Sequence, residues 1–492
     1  MAAVTVSQMR KIESAAMARG LSEAELMTMA GEALGHAIAN RFPHISCAIA
    51  YIGKGHNAGD ALIALRVLAE EFGWQIGVRA AYPQDQWATL MQSQREGLGL
   101  DVPLEKPLKI QLGSGIVLID GLLGIGARGA LKEPLVEMAR EMRTLRERCG
   151  VVVVSVDLPS GVDPDSGEVH ADSVTADMTF MIGCAKRGLL ASTAVNAVGA
   201  LALVEVEGLS ADEECDLDII CPQIMHFGKH PREFDFHKGK AGRVAIVAGS
   251  AEFSGAALIT ALGAIRGGGG LVTIYAREAA CAALRSRLPL EVMLKSCDDP
   301  RLLLLEKMDA IVLGPGLGEM TSEYEDGILT LVRETPVPLL IDADGLNLLS
   351  RKNVKLDARH VLTPHPGEFK RLAPELEGLS REEAAHKFTA ENEAILLLKG
   401  GRTIVAQNGS TMRVNSTGTP GMSNGGQGDL LAGVTGAFLA GGITGFDAAS
   451  LGAWVCGYAA ELAVNENGEI STATQTAEKI GAALAAWRRK LR

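Results

Sequence analysis

The chain has 492 residues, too many for one ordinary core, and length alone suggests about two to four domains. Hydrophobic residues make up 47% and charged residues 22%, a normal globular profile, and 57 glycines with only 4% aromatics favour alternating strands and helices over an aromatic-rich β sandwich. The net charge of −12 argues against a non-specific nucleic-acid or anionic-membrane binder, because counterion release needs a basic face, but leaves room for a small anionic ligand held by backbone amides.

Apolar residues at helical spacing predict a helix over 14–42. A strand follows at 47–53, a turn at 54–60, a helix at 61–73 and a strand at 77–82 ahead of a further helix. Strands at 115–124 and 151–159 flank a helix over 130–149. Short continuous apolar runs of this kind read as strands buried on both faces, in a parallel sheet with crossover helices. The alternation breaks after 201–209. The next stretch is acidic, then basic, with two prolines and no clear period, so the domain boundary is placed there, with one domain over 1–212, a linker over 213–235 and a second domain over 236–492. A second alternation begins with a strand at 243–250, a helix at 254–268 and a strand at 271–276. It continues through 309–318, 338–349, 360–372 and 394–406 into a helical tail. The fold class is therefore α/β, two doubly wound domains of roughly equal size.

Cys47, Cys149, Cys184, Cys215, Cys221, Cys281, Cys297 and Cys456 are scattered, and no Cys or His pair has zinc spacing. They read as reduced thiols of a cytoplasmic protein. The first residues lack the apolar core of a signal peptide. The longest charge-free apolar stretch, Leu430 to Phe446, is Gly-rich and shorter than the roughly 20 residues of a spanning helix, so no membrane segment is expected.

In the second domain four loops follow strands, and each carries Gly with a polar group: GPGLG (314–318), DADGLN (342–347), TPHPGE (363–368) and GGQGD (425–429). Ligands of open parallel sheets sit at the carboxyl ends of the strands, so these loops should meet at one site. Glycines let backbone amides approach an anion, and a helix beginning at GGQGD would aim its positive end there. Asp429 is then either a helix cap or a base beside a phosphate site. The convergence of loops favours the base. No P-loop is present. KGGRT (399–403) reads as a nucleotide contact or a solvated turn. His365, stiffened by Pro364 and Pro366, reads as a ligand contact or a structural turn.

The first domain offers GKGHNAGD (53–60), DGLLGIGARG (120–129) and DLPSG (157–161), each after a strand. GIGARG matches G-x-G-x-x-G, but on a later strand and without an acid at the right distance, which excludes a conventional Rossmann dehydrogenase. Asn57, Asp120 and Ser160 form an oxygen-rich set suited to a hard cation, though each is individually common as a turn former.

HKGKAGRVAIVAGS, IDADGLNLL, LTPHPGEF, LLLKGGRTIV and TGTPGMSNGGQGDLLAG resemble the ribokinase-like dehydratase domain of the bifunctional NAD(P)H-hydrate repair enzymes. ELMTMAGEAL, GKGHNAGD, DGLLGIGARG and VDLPSGVDPDSG resemble the Rossmann-like epimerase domain of the same family, in the expected order. The resemblance implies two three-layer αβα domains. One interconverts the R and S hydrates of NADH and NADPH. The other dehydrates the S hydrate with ADP, giving AMP and phosphate. It implies Asp429 as base, with Ala256, Ala257, Gly316 and His365 against the hydrate, and Lys399, Gly400, Gly401, Arg402, Thr403 and Gly428 against the nucleotide, with Mg²⁺. In the epimerase it implies His56, Asn57, Ala58, Gly59, Asp60, Gly124, Ile125, Gly126, Ala127, Arg128, Gly129, Ala130 and Asp157 around the hydrate. Asp157 is the choice for its proton transfer, and K⁺ would be held by Asn57, Asp120 and Ser160. It further implies a homo-oligomer, while the charge and the apolar runs already speak against nucleic-acid and membrane partners and the cysteines for a cytoplasmic location. Two departures stand out: the family's NNGGDG is here His56 to Ala61, and its GTGD or GSGD is here Gly426 to Asp429 with Gln427 in the hydroxyl position. A ribokinase-type kinase of a vitamin precursor, or a nucleotide-binding regulatory module without turnover, are the competing readings.

Overall fold

After β1 (Ala3–Val4), two capping boxes start the chain's first helices. Thr5 pairs with Gln8 at the head of α1 (Val6–Ala18), and Ser22 with Glu25 at the head of α2 (Glu23–Arg41). The stretch from 14 to 42 is thus two helices rather than one, because Gly20 takes a φ of 106° between them. The molecule, a computed structural model, is described here for residues 2–96, 115–211, 215–222, 225, 233–352 and 354–489. It divides into two compact units, Met1–Leu217 and Asp218–Arg492. Of the linker expected over 213–235, residues 213–214, 223–224 and 226–232 lie outside the described residues.

The first unit continues with β2 (Cys47–Ile52), α3 (His56–Glu70), β3 (Gln75–Ala80), α4 (Thr89–Glu96), β4 (Val117–Gly121) and α5 (Leu135–Cys149). It ends with β5 (Val152–Val156), β6 (Met178–Ile182), β7 (Ala185–Lys186), α6 (Val195–Val198) and β8 (Ala200–Val204). Six strands form one sheet in the order β3-β2-β4-β5-β6-β8, parallel throughout, while β1 pairs separately with β7. Chain direction across the sheet reverses between β2 and β4, so the loops after these two strands frame a crevice. The expected turn over 54–60 is shorter, since α3 already begins at His56.

β9 (Leu217–Ile219) lies at the division and is the outer strand of the second sheet. The second unit then runs β10 (Arg243–Val247), α7 (Ser254–Arg266), β11 (Leu271–Ala276), α8 (Glu278–Arg285), β12 (Val292–Ser296), β13 (Ala310–Leu313), α9 (Ser322–Glu334), β14 (Leu339–Ile341) and α10 (Asp344–Leu349). Next come β15 (His360–Leu362), α11 (Pro366–Leu372), α12 (Arg381–Glu391), β16 (Ile395–Leu398), β17 (Ile404–Ala406) and β18 (Met412–Val414), and helices α13 (Gln427–Ala440), α14 (Gly445–Asn467) and α15 (Ala473–Arg489) finish the chain. The sheet order is β12-β11-β10-β13-β14-β15-β16-β17-β18-β9, parallel from β12 to β16. The run 394–406 is not one strand: β16 and β17 are antiparallel, and KGGRT is the turn that joins them. The apolar stretch from Leu430 is α13, packed in the core of the unit. Among the described residues no helix is long and apolar enough to cross a membrane. All eight cysteines are free thiols.

Candidate active sites

In the second unit the direction of winding reverses between β10 and β13. Gly249 N–H donates to the Pro315 carbonyl at 2.9 Å, which ties the loops after these strands together. Gly316 has a φ of 62°, and a Cβ there would lie 2.9 Å from the Ala256 methyl, so these two residues share a surface. Ala257 points the other way. It is fully buried in the core and so cannot face a ligand as the resemblance implies; adjacent residues of a helix lie on different faces.

Gly426, with a φ of 93°, opens α13 without a side-chain cap. Asp429 therefore stands in the helix's first turn and is not its N-cap. Gln427 turns away from the loop, donating to the Ser471 carbonyl at 3.1 Å and the Thr476 hydroxyl at 3.2 Å. The first backbone bond here is Leu430 N–H to Gly426 O, so the amides of Gln427, Gly428 and Asp429 have no acceptor within the helix. Among the described residues the Asp429 carboxylate has no hydrogen-bond or ion-pair partner. Burial, then the neighbouring carboxylates Asp342, Asp344 and Glu368, push its pKa up to about 6, against the opposing pull of Lys399.

Lys399 begins the KGGRT turn, and its side chain enters the acidic cluster. Its ammonium lies 2.8 Å from Asp342 Oδ1 and 3.8 Å from Glu368 Oε2. Burial opposes its charge, but Asp342, Glu368 and Asp429 outweigh that and hold its pKa above the usual lysine value. A Cβ on Gly428 would meet the Lys399 ammonium at 3.4 Å, so the bare glycine leaves this approach open. Thr403 Oγ1 donates back to Gly400 O at 3.3 Å, and Arg402 is buried. His365 caps α11: its Nδ1 accepts from Gly367 N–H at 3.0 Å, and its backbone N–H donates to Glu368 at 2.8 Å. The ring remains half exposed beside the cluster, so capping and ligand contact are compatible here.

In the first unit a cleft of about 670 Å³ opens at the crevice between β2 and β4. Gly124, Ile125, Gly126 and Ala127 line it, together with His56, Asn57 and Asp60 at the head of α3 and with Asp157 and Lys186. Ala58 and Gly59 are buried, with a Cβ on Gly59 meeting Met27 Sδ at 2.5 Å, so they pack α3 on α2 and do not face the cleft as expected. Arg128 pairs with Asp163 and Asp165, each at 3.0 Å, and lines a neighbouring groove. Gly129 shares a small pocket with Ser160, and Ala130 is exposed.

Asp120 is fully buried. One oxygen accepts from Ser160 Oγ at 2.7 Å and Leu122 N–H at 3.2 Å; the other from Ser160 N–H at 2.8 Å and Ser155 Oγ at 2.9 Å. All four donors are neutral, and burial keeps its pKa above the usual carboxylate value. The Asn57 amide donates to two carbonyl oxygens, of Leu123 at 2.9 Å and Val156 at 3.0 Å.

Two family models match the chain: one described as NAD(P)H-hydrate dehydratase over 244–482, and one as YjeF-related protein N-terminus over 23–188. A bifunctional NAD(P)H-hydrate repair enzyme of Coxiella burnetii is 34% identical, over 94% of this chain and 95% of its own length. The chain belongs to the bifunctional NAD(P)H-hydrate repair enzyme family. Further relatives of the same description, from Gloeobacter violaceus and Pyrobaculum aerophilum, are each 34% identical, covering 89% and 94% of this chain and 88% and 94% of their own.

Within this family member, two residues at the sites carried no motif in the sequence. Lys186 is one per cent exposed, donates to the carbonyls of Ile182 at 2.9 Å and Cys184 at 3.0 Å, and forms an ion pair with Asp157. Arg381, on α12, spreads its guanidinium under the KGGRT turn and donates to the carbonyls of Arg402 and Leu398 at 2.9 Å and Lys399 at 3.1 Å. No periodicity singles out either residue, because Lys186 works through Asp157, 29 residues away, and Arg381 through carbonyls 17 to 21 residues away. A lone Lys in a two-residue strand and an Arg after a helix cap look like ordinary surface positions.

Proposed function

We propose that the first unit interconverts the R and S hydrates of NADH and NADPH, and that the second dehydrates the S hydrate at the expense of ADP, leaving AMP and phosphate. The observation that carries this reading is Asp429: a carboxylate with no hydrogen-bond or ion-pair partner among the described residues and a pKa pushed up to about 6, in the first turn of a helix whose opening amides have no acceptor within it. Asp429 would take the proton of the C6 hydroxyl as that oxygen attacks the terminal phosphoryl group. The amides of Gln427 to Asp429 would meet the charge developing on the phosphoryl oxygens. The phosphorylated oxygen then leaves, pushed by the ring nitrogen, and loss of a C5 proton restores the dihydronicotinamide. Ala256, Gly316 and His365 would hold the hydrate, and Lys399 to Thr403 with Gly428 the nucleotide.

Four carboxylates around one lysine leave this cluster under-neutralised, which suits a divalent cation brought in with the nucleotide. Among the described residues no three acidic, His or Cys side chains could hold a metal by themselves. Asp342 and Glu368 would hold Mg²⁺ together with the phosphates, and the ion would supply charge neutralisation there. In the first unit the buried Asp120, with only neutral donors, fits a monovalent cation such as K⁺ alongside Asn57 and Ser160; such an ion would stiffen the loops that frame the cleft. A cytoplasmic homo-oligomer is part of the same proposal.

The test follows the absorbance of restored NADH from mixed hydrate epimers, with ADP, with ATP and with neither. ADP-dependent recovery of the whole pool is expected. No recovery with either nucleotide would reject the repair function in favour of a kinase. Since the base must be ionised, kcat/KM for the S hydrate should rise with pH along a one-proton limb centred near 6 and level off above it. A flat profile from pH 5 to pH 8 would remove Asp429 from that role.

Arg381→Met is expected to raise the nucleotide KM on the order of tenfold while leaving KM for the hydrate unchanged, because the turn loses three hydrogen bonds to one guanidinium. Equal changes in both constants would show that Arg381 does not act through the turn.

A further inference from the structure

Asp60, Asp157, Lys186 and Glu13 meet in the first unit's cleft, and the hydrogen bonds of Asp157 and Lys186 set these two apart from the other carboxyls. Asp157 has a φ of 66°, rare for a residue with a side chain. It is held there by its N–H on the Phe180 carbonyl at 2.8 Å and by Ile182 N–H on its Oδ1 at 3.0 Å. Lys186 sits on the same oxygen and spends its other protons on the carbonyls of Ile182 and Cys184. Oδ1 of Asp157 is therefore committed, while among the described residues Oδ2 has no partner in a side chain that lines the cleft. Asp60 also lines the cleft, and among the described residues its carboxyl makes no hydrogen bond or ion pair.

We infer that this unit, read as the epimerase above, inverts C6 by opening the hydrate's ring, with Asp157 and Asp60 as the two proton carriers and Lys186 as the residue that positions Asp157.

The C6 hydroxyl sits on a carbon bonded to ring nitrogen N1, so the hydrate is a carbinolamine. Asp157 takes the hydroxyl proton, and the O–H electron pair becomes the second bond of a C6 aldehyde. The C6–N1 bond breaks, its pair moves to N1, and Asp60 gives N1 a proton. Rotation about C5–C6 presents the other face. N1 attacks it, returns its proton to Asp60, and the oxygen recovers its own from Asp157. Every proton and electron pair is restored, with no co-reactant.

The pair requires one carboxylate and one carboxylic acid. Asp157 is in an ion pair. Burial first, then the charges of Asp157 and Glu13, push the pKa of Asp60 well above the usual carboxylate value despite Lys186, which favours the acid form in the cleft-lining side chain that has no cation bound to it. Glu13 is itself raised by burial, and exposed Arg10 and His56 stand at the rim. The competing route expels the hydroxyl to leave an iminium and re-adds water. That iminium needs only to lose a C5 proton to become the dihydronicotinamide, so beside a carboxylate base it would drain into dehydration. Ring opening has no such exit.

The full-length enzyme, without nucleotide so that the second unit stays silent, is given pure S hydrate in H₂¹⁸O, and the R hydrate formed is weighed by mass spectrometry against a blank without enzyme. Retention of the original oxygen at each inversion is expected. Incorporation of one solvent oxygen per inversion overturns ring opening while leaving the epimerase reading intact. No interconversion at all sinks that reading and this scheme with it. Asp60→Asn should lower kcat about a hundredfold with KM little changed. Lys186→Met should likewise lower kcat more than it raises KM, with Lys186→Arg recovering part of the loss. Wild-type kcat in either Asp60→Asn or Lys186→Met removes that residue from the scheme.

Discussion

Replacing Asp429 by Asn or Ala is expected to slow dehydration by ~10²–10⁴-fold, the usual worth of a positioned general base, without harming the fold. The carboxylate makes no hydrogen bond or ion pair among the described residues, so no partner is orphaned by its removal. Its pKa of about 6, against an ordinary 3.8, means that the folded protein binds this proton more tightly than the unfolded chain does. Stability should therefore decline as pH rises from about 4 to 6 and stay level above, as far as this group contributes. The Asn variant loses that decline and should melt no lower than wild type at neutral pH. Thermal midpoints across this range, paired with turnover of the S hydrate, check both halves. A variant that melts well below wild type at pH 7, or that retains turnover, contradicts the assignment.

Asp157→Asn should separate the two activities. Epimerisation is expected to fall by ~10²–10⁴-fold, while dehydration of the S hydrate proceeds at its normal rate in the other unit. From a mixed pool, recovery of NADH would stop at the S fraction, apart from slow spontaneous exchange. Asn is the informative substitution, because it tolerates a φ of 66° better than Ala and keeps an acceptor for the Ile182 amide. It leaves Lys186 as a buried cation without its counterion, so a lower melting point for this variant is expected alongside the lost activity. Full recovery of the pool at the wild-type rate would show that Asp157 moves no proton.

The alternation of strands and helices was legible because strands buried on both faces write continuous apolar runs, and three of the four Gly-bearing loops of the second unit do follow strand ends, after β13, β14 and β15, whereas GGQGD comes only after a further turn beyond β18 and opens α13. That Asp429 is not a helix cap was legible in its glycine frame, which exceeds what a cap needs. Other features lay below the resolution of sequence. A run of contiguous motif residues ignores the turn of the helix, which sends Ala257, Ala58 and Gly59 into packing while Ala256 and Asp60 are left at their sites. β16 and β17 share one apolar run, and only the two glycines of KGGRT hinted that the chain doubles back there. Gly20 looked like one more residue of a long amphipathic pattern. The direction of the Lys399 side chain, into the acids of two other loops, depends on three-dimensional neighbours alone.

The missing acceptors at the start of α13 also have a consequence for hydrogen exchange. From Leu430 onward the helix is bonded and packed in the core, so its amides should exchange with solvent deuterium only through rare large openings. The three amides of Gln427, Gly428 and Asp429 have no such lock and should label within the dead time of the experiment. A phosphoryl group seated at the helix end would then be recorded as slowed labelling at three consecutive positions of an otherwise silent helix, a footprint of occupancy that needs no turnover at all.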